Sequence, residues 1–241
     1  MSIPAPKKNA GARIPPPGHH RDVTGGALRA GVFGAMDGLV SNFSLVAGVM
    51  GAGLATQSVI LTGLAGLAAG AFSMAVGEYT SVVSQAEATE AEIAKEKIEI
   101  QRNPEGEILE LAEIYRSYGM SPEIAQEAAT QVTTHPEQAW RVHAREELGV
   151  DPDDLPSPYV AAGSSFLFFT LGALVPLIPL FFGSESVIVV GIVSAFALFA
   201  SGAIVSKLTA RSLWFGGARQ LALGLAAAVA TYFFGTLVGG I

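Results

Sequence analysis

The sequence predicts an all-α integral membrane protein with five transmembrane helices and a helical cytosolic domain between the second and third spans. Half of the 241 residues are hydrophobic, and only 15% are charged, against about 25% in soluble domains. Five stretches reach the roughly 20 apolar residues that a helix needs to cross a bilayer. Charge is concentrated in one block, because Glu87–Asp154 carries a net −11 and the rest of the chain +4. A soluble globular protein is therefore excluded.

Composition also excludes several kinds of function. The chain has no cysteine, which rules out disulfides, thiolate zinc sites and cysteine nucleophiles. Its net charge of −7 argues against a nucleic-acid partner, since such proteins present basic surfaces.

The first 29 residues lack a hydrophobic core and are expected to form a flexible cytosolic segment. No apolar stretch there ends in a small-residue cleavage site, so we do not expect a removed signal peptide. His19 and His20 can bind a metal, but two solvated imidazoles in a flexible segment are the simpler interpretation.

The five predicted spans divide the chain into membrane segments 30–84 and 159–241, with the acidic block at 85–158 between them. Lys and Arg are found before span one, in the acidic block and after span four, whereas the turns near 53–57 and 183–185 have none. Positive loops stay in the cytosol, so the N-terminus is expected inside and the C-terminus outside. The spans run approximately over Ala30–Gly53, Ser58–Tyr79, Val160–Phe182, Ser186–Ser206 and Leu213–Val238.

The acidic block is predicted to consist of helices. No Gly or Pro interrupts the chain between span two and Asn103, so the second helix should leave the membrane and continue to about Arg102. Asn103-Pro104 and Ser121-Pro122 each combine a capping side chain with a first-turn proline and should start new helices. A further helix should run over Pro136–Leu148, and the proline-rich stretch after Gly149 is a linker to span three.

Asp37 is the first candidate site residue. It lies about seven residues into span one, roughly 10 Å from its cytosolic end at 1.5 Å per residue. A carboxylate at that depth costs several kcal/mol and usually marks a functional site. The alternative is a buried, protonated acid that is hydrogen-bonded to Ser41 or Asn42.

Met74 is predicted to face Asp37. Spans one and two form an antiparallel hairpin that turns near residues 55–56, which places these two residues at equal depth. A carboxylate and a thioether at one level suit a transition metal such as Fe(II) better than Mg²⁺ or Ca²⁺, although a methionine can also simply fill the core. Glu78, one turn below Met74, extends the polar track towards the cytosol.

Three acidic faces in the soluble block form a second candidate site. Carboxylates from neighbouring helices, together with a histidine, are typical of Fe(II) or Mn(II) sites in helical bundles. A solvated acidic surface is the alternative. Helical spacing groups the candidates as Glu92, Glu96 and Glu99; Glu107, Glu110 and Glu113; and His143, Glu146 and Glu147.

Four motifs together resemble the vacuolar iron transporter (VIT) family. They are GVFGAMDGLVSNFSLVAGV, SMAVGEYTSVVSQAE, the glutamate-rich helices ending in HAREELG, and GALVPLIPL. The likeness runs from about Arg21 to the C-terminus. It implies a homodimer with five spans per subunit and a cytosolic metal-binding domain. It also implies a transporter rather than an enzyme, exporting Fe(II), often also Mn(II), from the cytosol in exchange for protons, with no permanently bound cofactor.

The resemblance also assigns residues. Asp37 and Met74 match the family's pore ligands, whereas His143 and Ala144 stand where some members have methionines. The positions that match the family's glutamate-rich cytosolic site are Glu96, Glu99, Glu107, Glu110 and Glu147.

The sequence therefore predicts a proton-coupled antiporter for iron storage or detoxification. A bacterial inner membrane is favoured, or a vacuole-type membrane if the source is eukaryotic. Two alternatives stay open: a di-iron oxidase, although only one imperfect Glu/His set is present, and a membrane-anchored metal-binding protein that does not transport.

Overall fold

The computed structural model describes residues 26–240, and these contain helices joined by short connections and no β-strand. The N-terminal segment with His19 and His20 lies outside the described residues. The α-helices are α1 Gly26–Gly51, α2 Thr56–Arg102, α3 Pro104–Ser117, α4 Pro122–Thr133, α5 Pro136–Glu146, α6 Pro158–Leu174, α7 Ile178–Phe181, α8 Val187–Leu208 and α9 Leu213–Gly239.

Five helical segments in the described part of the chain are long and apolar enough to cross a membrane. They are α1, α2, α8, α9 and the combined α6–α7, and they coincide with the predicted spans to within a few residues. The third is not one regular helix, because a 3₁₀ turn at Val175–Leu177 separates α6 from α7. Pro176 and Pro179 cause this break, since neither has an N–H to donate to the preceding turn.

Helix α2 joins the membrane part to the acidic block without a break. Its 47 residues span about 70 Å at 1.5 Å per residue, and it ends at Arg102 as the sequence predicts. The Asn103 side chain then accepts a hydrogen bond from the Gly106 N–H at 3.2 Å and caps α3, with Pro104 in the first turn. The predicted cap-and-proline signature is therefore confirmed here.

Helices α3, α4 and α5 form a small bundle beside the second half of α2. Leu111 and Ala112 of α3 pack against Ala125 and Ala129 of α4 in a buried cluster. Helix α5 contacts α2 and ends at Glu146, two residues before the predicted end. The shorter helix reflects a turn that leads into Gly149, whose positive φ of 66° stops a helix.

Helix α1 lies at the centre of the membrane part and contacts α2, α6, α8 and α9. Its contact with α6 is a direct backbone approach. A Cβ atom built on Gly38 would overlap the Phe169 carbonyl, and one built on Gly172 would overlap the Ala35 carbonyl. Glycine at these positions is therefore required by packing, in the manner of small-residue helix contacts in membranes.

We expect Gly172→Ala to destabilise the protein and Gly163→Ala, on the same helix, to leave it unchanged. A methyl group at position 172 forces α1 and α6 apart, whereas one at position 163 meets open space. The apparent melting temperature in detergent should fall by roughly 5 °C for Gly172→Ala, which corresponds to about 1–3 kcal/mol of overpacking. Equal melting temperatures for the two variants would contradict the close α1–α6 contact.

Candidate metal centres

The first candidate site lies where α2, α3 and α5 meet. Four side chains offer ligand atoms that all lie within 4.8 Å of one another. They are Glu96 of α2, Glu107 of α3, His143 of α5, and Glu147, which directly follows α5. We call these four residues the carboxylate–histidine cluster. His143 is completely buried, and Glu96 and Glu107 are each 6% exposed, so three of the four side chains have left bulk water.

The His143 Nδ1 atom faces all three carboxylates. It lies 2.7 Å from Glu147 Oε1 and 3.1 Å and 3.6 Å from Glu96 Oε1 and Glu107 Oε2. Only the contact with Glu147 has the geometry of a hydrogen bond. Within the described residues, Glu96 Oε1 and Glu107 Oε2 have no donor. The cluster thus holds more buried acceptors than donors, an arrangement that a cation would satisfy.

Local sequence explains how α5 comes so close to α2. Ala139 and Ala144 are fully buried on α5 and add little bulk between the helices. Trp140, on the same helix, lies under the Lys97 ammonium of α2, with 3.8 Å between the nitrogen and the ring centroid. This cation–π contact stabilises the helix pair one turn from the cluster. His143 and Glu147 then share one face because they are four residues apart.

Burial and mutual repulsion raise the pKa values of the cluster's carboxyl groups. The pKa of Glu96 rises to about 8, first because the side chain is buried and then because of the negative charges of Glu147 and Glu107. The pKa of Glu107 is raised chiefly by burial and next by the charge of Glu110. Near neutral pH the metal-free cluster therefore keeps a proton, which a bound cation would displace.

The other predicted glutamates lie beside the cluster rather than within it. Glu99, Glu110 and Glu113 line a neighbouring cavity of about 510 Å³, to which Glu107 also contributes. Glu113 accepts a hydrogen bond from Arg116 at 2.6 Å, so one of these carboxylates is already paired. The structure thus separates one tightly packed group of four from an adjacent acidic cavity, a division that helical spacing alone does not predict.

The second candidate site is a cavity of about 240 Å³ between α1, α2 and α6. Asp37 of α1 and Met74 of α2 both line it, together with the hydroxyl side chains of Ser41 and Ser73 and the amide of Asn42. The structure therefore brings Asp37 and Met74 to one site, as the antiparallel hairpin requires. The carboxyl oxygen, the thioether and the neutral oxygens form a mixed donor set that fits a transition metal.

Two polar residues near this cavity have partners that the sequence does not reveal. Glu78 is only 9% exposed and accepts a hydrogen bond from Arg29 at 2.8 Å, so it is ion-paired below the cavity and does not line it. Asn42 does not bond Asp37. Its Nδ2 donates to the Ala173 carbonyl of α6 at 2.6 Å, a contact between residues too far apart in sequence for periodicity to predict.

Comparison with known proteins relates the chain to one family of transporters. A model of the VIT family matches residues 28–236. The chain is 41% identical over 155 residues to a protein named vacuolar iron transporter from Acanthamoeba castellanii, which covers 64% of this chain and 56% of that relative. It is 31% identical over 221 residues to vacuolar iron transporter 1 of Oryza sativa subsp. japonica, covering 89% and 87% of the two chains. The corresponding Arabidopsis thaliana protein is 32% identical over 191 residues, covering 76% of each chain.

These relatives and the five apolar helices together indicate a multi-pass membrane protein. The family match includes both candidate sites, since Asp37, Met74 and the carboxylate–histidine cluster all fall within residues 28–236.

We expect the stability of the α2–α5 bundle to fall as the pH rises from about 5 to about 9. Glu96 has a pKa of about 8 in the folded protein and an ordinary pKa when unfolded, so the folded form holds its proton more tightly. Between these two pKa values only the unfolded chain releases the proton. The metal-free protein is therefore most stable below the ordinary pKa of 4.5, and this contribution is lost by the pH at which folded Glu96 ionises. Glu96→Gln, which has no proton to lose, should show a flatter pH profile.

The measurement is denaturant unfolding in detergent with a chelator present, followed by Trp140 fluorescence in a Trp214→Phe background, because these are the chain's two tryptophans. Glu90→Gln, at an exposed position on the same helix, is the matched control and should retain the parent's slope. If Glu96→Gln and the parent have the same pH profile, the raised pKa is wrong.

Proposed function

This chain belongs to the VIT family, and on that premise we propose that it is a proton-coupled antiporter that moves Fe(II) out of the cytosol. Mn(II) is the second substrate that we assign to it. The membrane is a bacterial inner membrane or that of a vacuole-like organelle, and the active form is a homodimer.

The observation that carries this proposal is the cavity between α1, α2 and α6, where Asp37 and Met74 face one space. Both helices are long and apolar enough to cross a bilayer. A carboxylate is expensive in that position and is usually kept for an ion or a substrate. A thioether beside it favours a transition metal over Mg²⁺ or Ca²⁺, which prefer oxygen ligands only.

The carboxylate–histidine cluster is the proposed collecting site on the cytosolic side. Its carboxylates and imidazole are ligands that suit Fe(II) and Mn(II). The acidic cavity with Glu99 and Glu110 lies next to it and attracts cations from solution. Glu96 and Met74 belong to the same unbroken helix, with 22 residues or about 33 Å between them at 1.5 Å per residue.

Between the two sites, Glu78 contributes the only negative charge among α2 residues 57–86. Its partner Arg29 has a side chain that is 58% exposed, whereas that of Glu78 is 10% exposed. The arginine can therefore move into water while Glu78 stays near the path. An ion that passes towards Met74 would take over the electrostatic role of Arg29.

Proton coupling follows from competition at Asp37. The carboxyl group must lose its proton to bind a cation, and a proton that arrives from the far side weakens that binding. One residue thus alternates between the two ions, which is sufficient for exchange. The proposal needs no second titrating group in the cavity.

We expect Asp37→Asn to abolish Fe(II) uptake into proteoliposomes and the accompanying proton flux. The amide keeps the size of the side chain but removes the charge that holds the ion and the group that carries the proton. Glu185→Gln is the control, because Glu185 is an exposed acid in the α7–α8 connection and should transport normally. Uptake and internal pH are followed with fluorescent indicators, and full transport by Asp37→Asn would refute the pore assignment.

We expect His143→Ala to weaken Fe(II) or Mn(II) binding to the full-length protein by roughly 10- to 100-fold. The variant removes the buried imidazole that faces three carboxylates. His135→Ala is the matched control, because His135 lies at the start of the same helix, is exposed and contacts Thr134 and Gln131 rather than the cluster. Calorimetric titration under anaerobic conditions measures both, and equal affinities would remove His143 from the ligand set.

A further inference from the structure

Asn42 has a buried carbonyl oxygen without a hydrogen-bond donor. The residue is 2% exposed, and its Oδ1 atom has no partner among the described residues. Its Nδ2 atom, by contrast, donates to the Ala173 carbonyl at 2.6 Å. A buried polar group in a native protein almost always finds a partner, so the unpaired Oδ1 calls for one.

The contact with Ala173 fixes which way the amide points. Ala173 lies next to the end of α6 at Leu174, among the last four carbonyls that have no regular helical donor. Only the NH₂ group of Asn42 can donate to that carbonyl, since a flipped amide would set two oxygens against each other. The orientation of Oδ1 is therefore determined by the end of α6.

In that orientation the oxygen lies beside Gly66 of α2, at the wall of the Asp37–Met74 cavity. Asn42 lines this cavity, and a methyl group built on Gly66 of α2 would lie 3.2 Å from Oδ1. Gly66 has no side chain that can donate. The Ser41 hydroxyl, which also lines the cavity, is directed to the Gly38 carbonyl at 3.5 Å.

We propose that Asn42 Oδ1 is a further oxygen ligand of the transported cation. This inference rests on the proposed function and adds a neutral ligand to it. Amide oxygens bind divalent cations such as Mn(II). Asn42 lies five residues beyond Asp37 on α1, about 7.5 Å farther from the start of the helix. Because an amide does not take up a proton at physiological pH, Asn42 adds a constant neutral ligand, and Asp37 alone exchanges the ion for a proton.

The test is Mn(II) titration of the full-length protein in lipid nanodiscs, in a Glu96→Gln, Glu107→Gln background that removes the competing cluster. Asn42→Leu, of similar size but without the oxygen, should weaken Mn(II) affinity at least about tenfold. Asn42→Asp keeps an oxygen at this place and replaces the NH₂ group by an acid O–H, which can also donate to the Ala173 carbonyl. Binding of Mn(II) should then release about one more proton per ion.

Two outcomes overturn the inference. One is an Asn42→Leu protein that binds Mn(II) as tightly as the parent. The other is an Asn42→Asp protein that binds Mn(II) without releasing an additional proton, which would limit Asn42 to holding α1 against α6. If Asn42→Leu is not recovered folded, the proton count of Asn42→Asp decides, and an unchanged count overturns the inference.

Two controls complete the design. Ser44→Ala removes another buried, unpaired polar group of α1 that does not line the cavity, and it should leave the affinity unchanged. Asp37→Asn separates the two levels of the proposal. Weaker binding in Asp37→Asn with normal binding in Asn42→Leu refutes only the role of Asn42, whereas normal binding in Asp37→Asn refutes the transmembrane metal site itself.

Discussion

A carboxyl group that leaves water must be protonated, paired or bound to a cation, and this requirement applies at both ends of the molecule. In the α2–α5 bundle, Glu96 and Glu107 are buried against His143 and Glu147 with too few donors. Burial accordingly raises the pKa of Glu96 to about 8. Between the apolar helices, Glu78 is paired with Arg29, whereas Asp37 faces a cavity with a thioether. Among the described residues, the acids of the two candidate sites have no arginine or lysine partner, whereas Glu78 has one.

Helix α2 places these two groups of acids in a fixed relation. One continuous helix carries Met74 and Glu96, so the separation of the sites is set by the helical rise and not by a flexible loop. At its far end, Lys97 and Trp140 stabilise the packing of α5, which brings His143 to the cluster. In the membrane part, the glycine contacts between α1 and α6 allow α6 to reach Asn42. Both sites thus depend on close helix packing.

The sequence is sufficient to predict the elements and the meeting of Asp37 and Met74 at one cavity, because these follow from local rules. Span lengths, proline caps and the turn between α1 and α2 determine helix bounds and relative depth, which is why Asp37 and Met74 were paired correctly. Periodicity groups Glu92, Glu96 and Glu99 on one helix face, but it does not say which of them meets another helix. In the structure the Glu96 carboxylate lies 3.1 Å from His143 of α5, and this contact depends on the packing of Ala139, Trp140 and Ala144.

Long-range polar contacts also depend on how the helices pack, so the sequence alone does not predict them. The Asn42–Ala173 hydrogen bond joins residues 131 positions apart, and it exists because α6 ends where Pro176 and Pro179 interrupt it. Nothing in the local sequence around Asn42 indicates that its amide group is held by another helix. The proline motif was visible, but its consequence for α1 appears only when the two helices are packed together.

In the proposed transport cycle, the two sites differ in negative charge, and this difference favours transport of the ion from the cluster to the membrane cavity. The cluster offers three carboxylates and one imidazole, a set that binds a divalent cation strongly once its proton is lost. The membrane cavity offers one carboxylate and neutral donors, so a single proton on Asp37 removes all of its negative charge. A site that holds an ion with one charge can release it with one proton. The strongly charged cluster is therefore suited to collection, and the weakly charged cavity to release.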